Sequence, residues 1–566
     1  MRFDALPVAA ETILAWTWDD YSPYYEVLLA RELNTETADQ WLRDLSRVGS
    51  LLSEQGARLQ NIYSHDTRVP EHLRQLEVFQ QGVLPQLTAT AQKLREKLLG
   101  SGFEPEGLHY PLRQMRADAA GFREENIGLQ VQERGLINDY NRITGMMTVE
   151  FEGREVTLSE LRAVQEDTDR ARRESAWRIA NTRFAEDRAE LSELWAKLVD
   201  LRVQMTANAE RPNYLEHMWP LKGRFDYSVT DAKRFQASIL DAVVPVLAKR
   251  HELRKQQLGV ETLRPWDLSC DPLGRHPLKP FEVAAELEET GASIFSQLDP
   301  QLGEWFESLR AGQLDLANTP GKAPGGWCSD YSSTQLPHIF MNAVGTHNDV
   351  QTLLHEAGHA FHNFSTYALP YSLQRKAYME FCEVASMAME LIAAPYLDAE
   401  RGGFYDASDS ARAQVNHFDH MLYIWAMVAA GDAFQHWIYE NPEQSRDAAL
   451  ASRKYAELWQ RYFPAVDYSG VGQELAWGWQ RILHFYVVPL YYIEYGLAQL
   501  GAVQVWINAL EHPNRALRMY KDALELGGTA SLPALFEAAG AKLSFEANDY
   551  GLAVAAMVNR IRELET

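Results

Sequence analysis

Asn348-Asp349-Val350-Gln351-Thr352-Leu353-Leu354-His355-Glu356-Ala357-Gly358-His359-Ala360-Phe361-His362 contains the pattern His-Glu-x-x-His. Asn348 and Asp349 read as a helix start, with Gln351 three residues after Asn348 in the manner of a capping box. No proline follows until Pro370, so the signals predict a helix over about 348–364. On a helix, positions i and i+4 share a face, so His355 and His359 can direct two imidazoles at one ion. Zinc accepts imidazole nitrogen at about 2.0–2.1 Å and in catalytic sites takes three protein ligands and a water. Glu356, one residue round from the first imidazole, can reach such a water and take its proton. Leu353, Leu354, Ala357, Gly358, Ala360 and Phe361 make the segment apolar nearly all round, which predicts burial rather than a surface helix.

A third ligand has to come from elsewhere. The metzincin continuation requires Gly at 362 and His at 365, where this chain has His362 and Ser365, so that class is excluded. The loop near Pro370 lets the chain turn back into an apolar run, predicted helical over about 376–395, that carries Glu380, Glu383 and Glu390. A lone buried carboxylate is costly, so at least one of the three is expected to face a cation; spacing alone does not choose among them.

These pieces resemble the thimet oligopeptidase and oligoendopeptidase F family of zinc peptidases, especially its bacterial oligoendopeptidase F and Pz-peptidase branch. The resemblance is carried by 350–362, by Glu383-Val384-Ala385-Ser386, and by His484-Phe485-Tyr486 followed by Pro489-Leu490-Tyr491-Tyr492-Ile493-Glu494-Tyr495. It runs over most of 210–550 and weakly over the N-terminal part. It implies a mainly α, multi-helix, two-lobed zincin-type peptidase with a small β-sheet beside the metal helix and a deep substrate channel. It further implies one Zn2+ per chain, held by His355, His359 and Glu383, with Glu390 either orienting a ligand imidazole or lying on the helix surface. Glu356 is then the general base. His484 with Tyr492 and Tyr495 becomes the set of donors to the oxyanion, and the register leaves either Tyr491 or Tyr492 to face the metal. Tyr486 reads as packing.

Other stretches fill in this picture. Residues 319–345 form a glycine-rich extended block, with His338-Ile339-Phe340-Met341 reading as a strand that ends at Gly345. In zinc peptidases of this clan an edge strand beside the metal helix pairs with substrate backbone, so His338, Ile339, Phe340 and Met341 are candidate substrate contacts. Tyr491, Gly527 and Gly528 join them, the glycines because they resemble the family's mobile Gly-Gly-Thr segment. His417 and His420, three apart, read as structural. Cys328 reads as a packing residue. A run over 477–506 is predicted as one helix, and 146–158 as a hairpin turning at Glu152-Gly153.

The chain of 566 residues, 46% apolar and 11% aromatic, has room for two or three domains' worth of core. No linker separates domains; the change of pattern near Arg211-Pro212 suggests an N-terminal helical lobe over 1–210 and a catalytic lobe over 211–566. A net charge of −24 argues against nucleic acid or an anionic membrane as partner. Three scattered cysteines, Cys270, Cys328 and Cys382, make no disulfide framework and suit a reducing compartment. The start of the chain lacks a basic region and a long apolar run, and no stretch approaches the roughly 18 apolar residues of a membrane span. The expectation is a cytoplasmic zinc endopeptidase acting on short peptides, its oligomeric state open. The alternative is a zinc metallocarboxypeptidase of related all-helical fold. That class carries His-Glu-Ser-Gln-Ser around the third ligand, where this chain has Cys382-Glu383-Val384-Ala385-Ser386.

Overall fold

The computed structural model describes residues 2–566. The chain is mainly helical, as expected, and its few strands are short. It divides into two compact units. The first comprises Met1–Phe122, Pro280–Ser410 and Gly501–Leu543; the second comprises Arg123–Lys279, Ala411–Leu500 and Ser544–Thr566. The expected boundary at 210/211 therefore falls inside the second unit, and the N-terminal helices belong with the His-Glu-x-x-His stretch. Packing between distant segments is the reason, and no local signal reports it. Tyr371 is buried in one cluster with Trp41, Leu42 and Val48. Its hydroxyl donates to Asp39 Oδ1 at 2.6 Å, and the Ser372 N–H donates to Ser46 Oγ at 2.9 Å.

In the second unit the predicted hairpin is present: β1 (Thr148–Phe151) pairs antiparallel with β2 (Arg154–Thr157). Glu152 and Gly153 both take positive φ, 53° and 81°, which suits the right-handed twist of a two-residue turn. The helix predicted over 477–506 is instead broken. A short helix Leu483–Val487 precedes Val488-Pro489-Leu490, and a new helix runs Tyr492–Glu511. Pro489 has no N–H to continue the ladder, and Leu490 sits at φ 63°, a left-handed conformation unusual for a branched side chain.

In the first unit a three-stranded sheet has the order β3 (Leu314–Ala317), β5 (His338–Ala343), β4 (Trp327–Ser329). β5 lies in the middle, parallel to β3 and antiparallel to β4. Gly345, at φ 92°, turns the chain out of β5. The helix His347–Thr366 starts one residue earlier than predicted: Thr346 is its N-cap, and Asp349 Oδ2 accepts from the N–H groups of Thr346 (2.8 Å) and Val344 (2.9 Å). The next long helix, Met379–Ala393, is shorter than the predicted 376–395 and crosses the first at Gly358. A Cβ at 358 would lie 2.6 Å from Ser386 Cα and 2.8 Å from the Ala385 carbonyl oxygen, both backbone atoms. Among the described residues no helix is long and apolar enough to cross a membrane.

Because those neighbours are backbone, Gly358→Ala must spread the two helices. The expected outcome is a destabilisation of about 1–3 kcal/mol, the usual range for overpacking, together with weakened metal retention. A thermal melt paired with metal analysis checks it; unchanged values in both would show that the crossing is loose.

Candidate active site

The helix crossing brings three ligand-type atoms together. His355 Nε2 lies 3.3 Å and His359 Nε2 3.7 Å from Glu383 Oε2. Among the described residues this is the group of His, Cys, Asp or Glu side chains arranged to hold a metal, its ligand atoms all within 4.8 Å of one another. Tetrahedral bonds of about 2.0–2.1 Å separate ligands by roughly 3.3–3.4 Å, so the spacing fits one small dication. The donor set, two imidazoles and a carboxylate, is one that zinc takes in catalytic sites.

The surroundings fit a cation as well. Glu390 Oε1 sits 2.7 Å from His355 Nδ1, so of the two roles left open for Glu390 the structure places it on the imidazole. This contact fixes which ring nitrogen faces Glu383. Ser386 Oγ donates to Glu383 Oε2 at 3.3 Å. Burial opposes a proton on His355, but its bonds to Glu383 and Glu390 outweigh burial and raise its pKa well above the usual imidazole value. His359, without such bonds, is pushed down by burial to about 4. Glu380 is buried but is not part of the group.

Glu356 is 6% exposed, and its Oε2 has no hydrogen-bond partner among the described residues. Burial raises its pKa to about 7. His355 pulls it back, Glu383 and Glu390 push it up, and a hydrogen bond from the Cys328 backbone lowers it. A carboxylate near neutrality, close to a cation site and free at one oxygen, is equipped to accept and return a proton. The Cys328 thiol is pushed well above its usual range by burial and receives Asn363 Nδ2 at 3.8 Å, which suits the packing role expected of it.

The expected substrate contacts need correction. β5 is the central strand: Ile339 and Phe340 pair with both β3 and β4, His338 pairs with β4, and Ile339, Phe340 and Met341 are buried. A continuous apolar run marks a strand covered on both faces. The edge strands are β3 and β4; β4, which packs on the helix His347–Thr366, has three residues, too few to register as a strand in sequence. Gly527 and Gly528 are also buried and serve the fold. A Cβ at 527 would lie 2.6 Å from the Gln374 carbonyl oxygen and one at 528 would lie 2.4 Å from that of Lys376. The Gly528 N–H donates to Gln374 O at 2.6 Å.

In the second unit, His484 gathers the tyrosines. Tyr495 Oη lies 3.4 Å from His484 Nε2, and the rings of Tyr491 and Tyr495 meet edge-on at 5.0 Å. Tyr491 and Tyr495 are half-buried, whereas Tyr492 is buried beside Phe485, its ring filling the space above Gly431. The break at Leu490 explains the difference from the expected pair. It leaves Tyr491 just ahead of the helix, four residues before Tyr495. Tyr486 is buried, stacked on Tyr140 at 4.3 Å, in agreement with packing. Two buried arginines hold the segment by its carbonyls: Arg202 donates to Phe485 O at 3.1 Å and to Tyr486 O, and Arg224 to Leu490 O and, at 2.7 Å, to Glu494 Oε1. Nothing in their spacing announced either arginine. His417 and His420 are not part of any metal-holding group among the described residues.

The peptidase family M3 profile matches residues 163–550. The chain belongs to peptidase family M3. Among curated proteins, this family member is similar to oligopeptidase PepF of Bacillus subtilis strain 168, at 26% identity over 301 residues covering 50% of the chain and 42% of that protein. It is similar to an oligoendopeptidase F homolog of Borreliella burgdorferi at 26% identity over 312 residues, covering 52% of the chain and 50% of that protein. The chain thus spans about half the length of the curated relatives it matches. Among solved structures, Pz peptidase A in complex with an inhibitor superposes with a TM-score of 0.90 over 99% of both chains at 24% identity, a likeness of fold.

The group makes a graded prediction about metal content. Glu383→Ala removes a ligand and should purify nearly metal-free. Glu390→Gln should bind metal about 10–100-fold more weakly, the usual effect of losing a partner behind a ligand imidazole, and Glu380→Ala should keep full metal. Elemental analysis with chelator competition ranks the three; full metal in Glu383→Ala would remove it from the ligand set.

Proposed function

We propose that this family M3 chain is a zinc-dependent endopeptidase that hydrolyses internal bonds of short peptides, with Glu356 as general base. The carrying observation is the convergence of His355, His359 and Glu383 beside a buried Glu356 carboxylate with one oxygen unpartnered. When bound, zinc supplies Lewis-acid polarisation of the scissile carbonyl and acidifies a water. Glu356 accepts the proton of the attacking water and delivers it to the leaving nitrogen. Glu390 keeps the His355 ring oriented. The cysteines, all free, suit a cytoplasmic setting.

Peptide docking is assigned to β4 in place of β5. Alternate residues of an antiparallel strand direct N–H and C=O to the same edge. The Cys328 backbone acts on the Glu356 carboxyl and lowers its pKa, so the outer edge of β4 runs past the general base. A peptide added there as a strand passes its carbonyls along Glu356, and backbone pairing gives affinity without demanding a sequence. Donation to the oxyanion is assigned to His484 with Tyr495 and Tyr491, and Tyr492 to packing. Membership of family M3 favours this reading over a metallocarboxypeptidase; products from a peptide blocked at its C-terminus distinguish them, because a carboxypeptidase leaves it uncut.

Glu356→Gln should retain metal and lose about 10²–10⁴-fold in kcat, the span of general-base contributions; activity above about a tenth of wild type would remove Glu356 from the role. The base works deprotonated and burial holds its pKa up, so kcat/KM should fall as pH drops. A bound dication favours the carboxylate, so the acid limb is expected between the ordinary glutamate value of 4.5 and about 7; a profile flat across that interval contradicts the assignment. Tyr→Phe at 491 or 495 should reduce kcat about 10²–10³-fold if its hydroxyl serves the oxyanion, with KM little changed, while Tyr492→Phe should cleave normally. The reverse pattern would return the role to Tyr492.

A further inference from the structure

We infer that Asn61, on the N-terminal helix Ala38–His65, is a positioning residue for the peptide-binding edge, an inference that rests on the peptidase reading above. Asn61 is buried, and its amide meets three side chains that lie far ahead in sequence. Trp327 Nε1 donates to Asn61 Oδ1 at 2.9 Å, and Asn61 Nδ2 donates to Tyr331 Oη at 2.9 Å. Ser329 Oγ lies 3.2 Å from Oδ1 and 3.1 Å from Nδ2. Trp327 and Ser329 are the two β4 residues whose side chains share a face, since side chains alternate along a strand. Cys328 between them faces Asn363 of the metal helix, and its backbone amide lies close enough to Glu356 to lower that carboxyl's pKa. One amide thus grips both neighbours of the residue that meets the general base.

β4 needs such a grip. It has three residues, one paired edge, and Gly325 at φ 114° just before it. Short edge strands with one ladder are weakly held by themselves. The same helix face continues the hold at positions four, three and four residues apart: Glu54, Arg58, Asn61 and His65. Glu54 Oε2 accepts from the N–H groups of Ser333 (2.9 Å) and Thr334 (2.8 Å), and Arg58 lies 4.0 Å over the Tyr331 ring. His65 Nδ1 is 2.8 Å from Asp315 Oδ2 at β3. Asn61 is the member that touches β4 itself. Its proposed role is to fix the tilt and register of the open edge, and through that edge to align a peptide with Glu356. It does not touch the metal ligands, so removing it misplaces extended substrate and leaves the hydrolytic group assembled.

The test compares two substrates: a peptide extending several residues beyond the scissile bond on both sides, and a minimal blocked peptide. Asn61→Leu should raise KM for the long peptide about tenfold, the scale of one lost buried hydrogen bond, and leave kcat/KM for the minimal one within about threefold, with full metal content. Amide exchange at Cys328 and Ser329 should accelerate. Asn61→Asp, whose carboxylate still accepts from Trp327 Nε1 and from both hydroxyls, should restore the long-peptide KM to within about threefold. If Asn61→Leu does not fold, Asn61→Ser, whose short side chain reaches none of the three partners, must give the same split. Equal losses on both substrates, no loss on either, or failure of Asn61→Asp to rescue would overturn the role. The exchange readout reports on the strand even if wild type cleaves neither peptide, a result that would defeat the peptidase reading instead.

Discussion

The approach of the helices His347–Thr366 and Met379–Ala393 at Gly358 is the contact on which the site depends. With no side chain at 358, the backbone at Ala385 and Ser386 occupies the space a Cβ would need. The two imidazoles flank Gly358 on one helix, and Glu383 stands one turn before Ser386 on the other, so the closeness of the backbones converts into the closeness of the ligands. The rest of the first unit supports that crossing. Tyr520 donates to the Ala385 carbonyl at 2.7 Å. Gly501 meets Val384 and Phe536 with no room for a Cβ, and Gly527 and Gly528 clasp the backbone at 374–376.

Closeness creates an electrostatic demand. Glu356 and Glu383 are buried and Glu390 is half-buried, all three close to His355 and His359. Burial disfavours the Glu356 charge, and the outcome differs by partner. Glu390 and Glu383 bond to His355 and make it strongly basic, whereas Glu356, its Oε2 without a hydrogen-bond partner among the described residues, is left near neutrality. A dication among the ligand atoms relieves the surplus of negative charge. Burial of this one region thus accompanies both the cation-fitting group and the raised pKa of Glu356.

The sheet reaches that pocket through the N-terminal helix. β4 is short and meets the helix His347–Thr366 through Cys328 and Asn363, and its Trp327 and Ser329 side chains are held by Asn61. Lys322, with no exposed side-chain surface, donates to the carbonyls of Asp315, Ala317 and Met341 and so ties β3 to β5. Segments that a reading along the chain assigns to different lobes thus act on one strand.

Local pattern alone determined the helical class, the His355, Glu356 and His359 arrangement, the hairpin at Glu152-Gly153 and the need for a carboxylate from the following helix. Each is written in spacing of a few residues, where backbone geometry fixes which side chains share a face. The choice of Glu383 came from resemblance, and the structure brings that residue to the two imidazoles. What needed the tertiary structure was everything set by contacts between distant segments. Glu390's place on His355 depends on how two helices cross, and the central position of β5 depends on strands arriving from both sides. Packing against Phe485 and Gly431 buries Tyr492 and leaves Tyr491 and Tyr495 beside His484. The polar stripe of Glu54, Arg58, Asn61 and His65 is visible as a spacing, but a polar stripe normally faces water. Only the fold shows that this one faces the edge of a sheet, because burial is a property of what a surface meets and not of the residues that compose it.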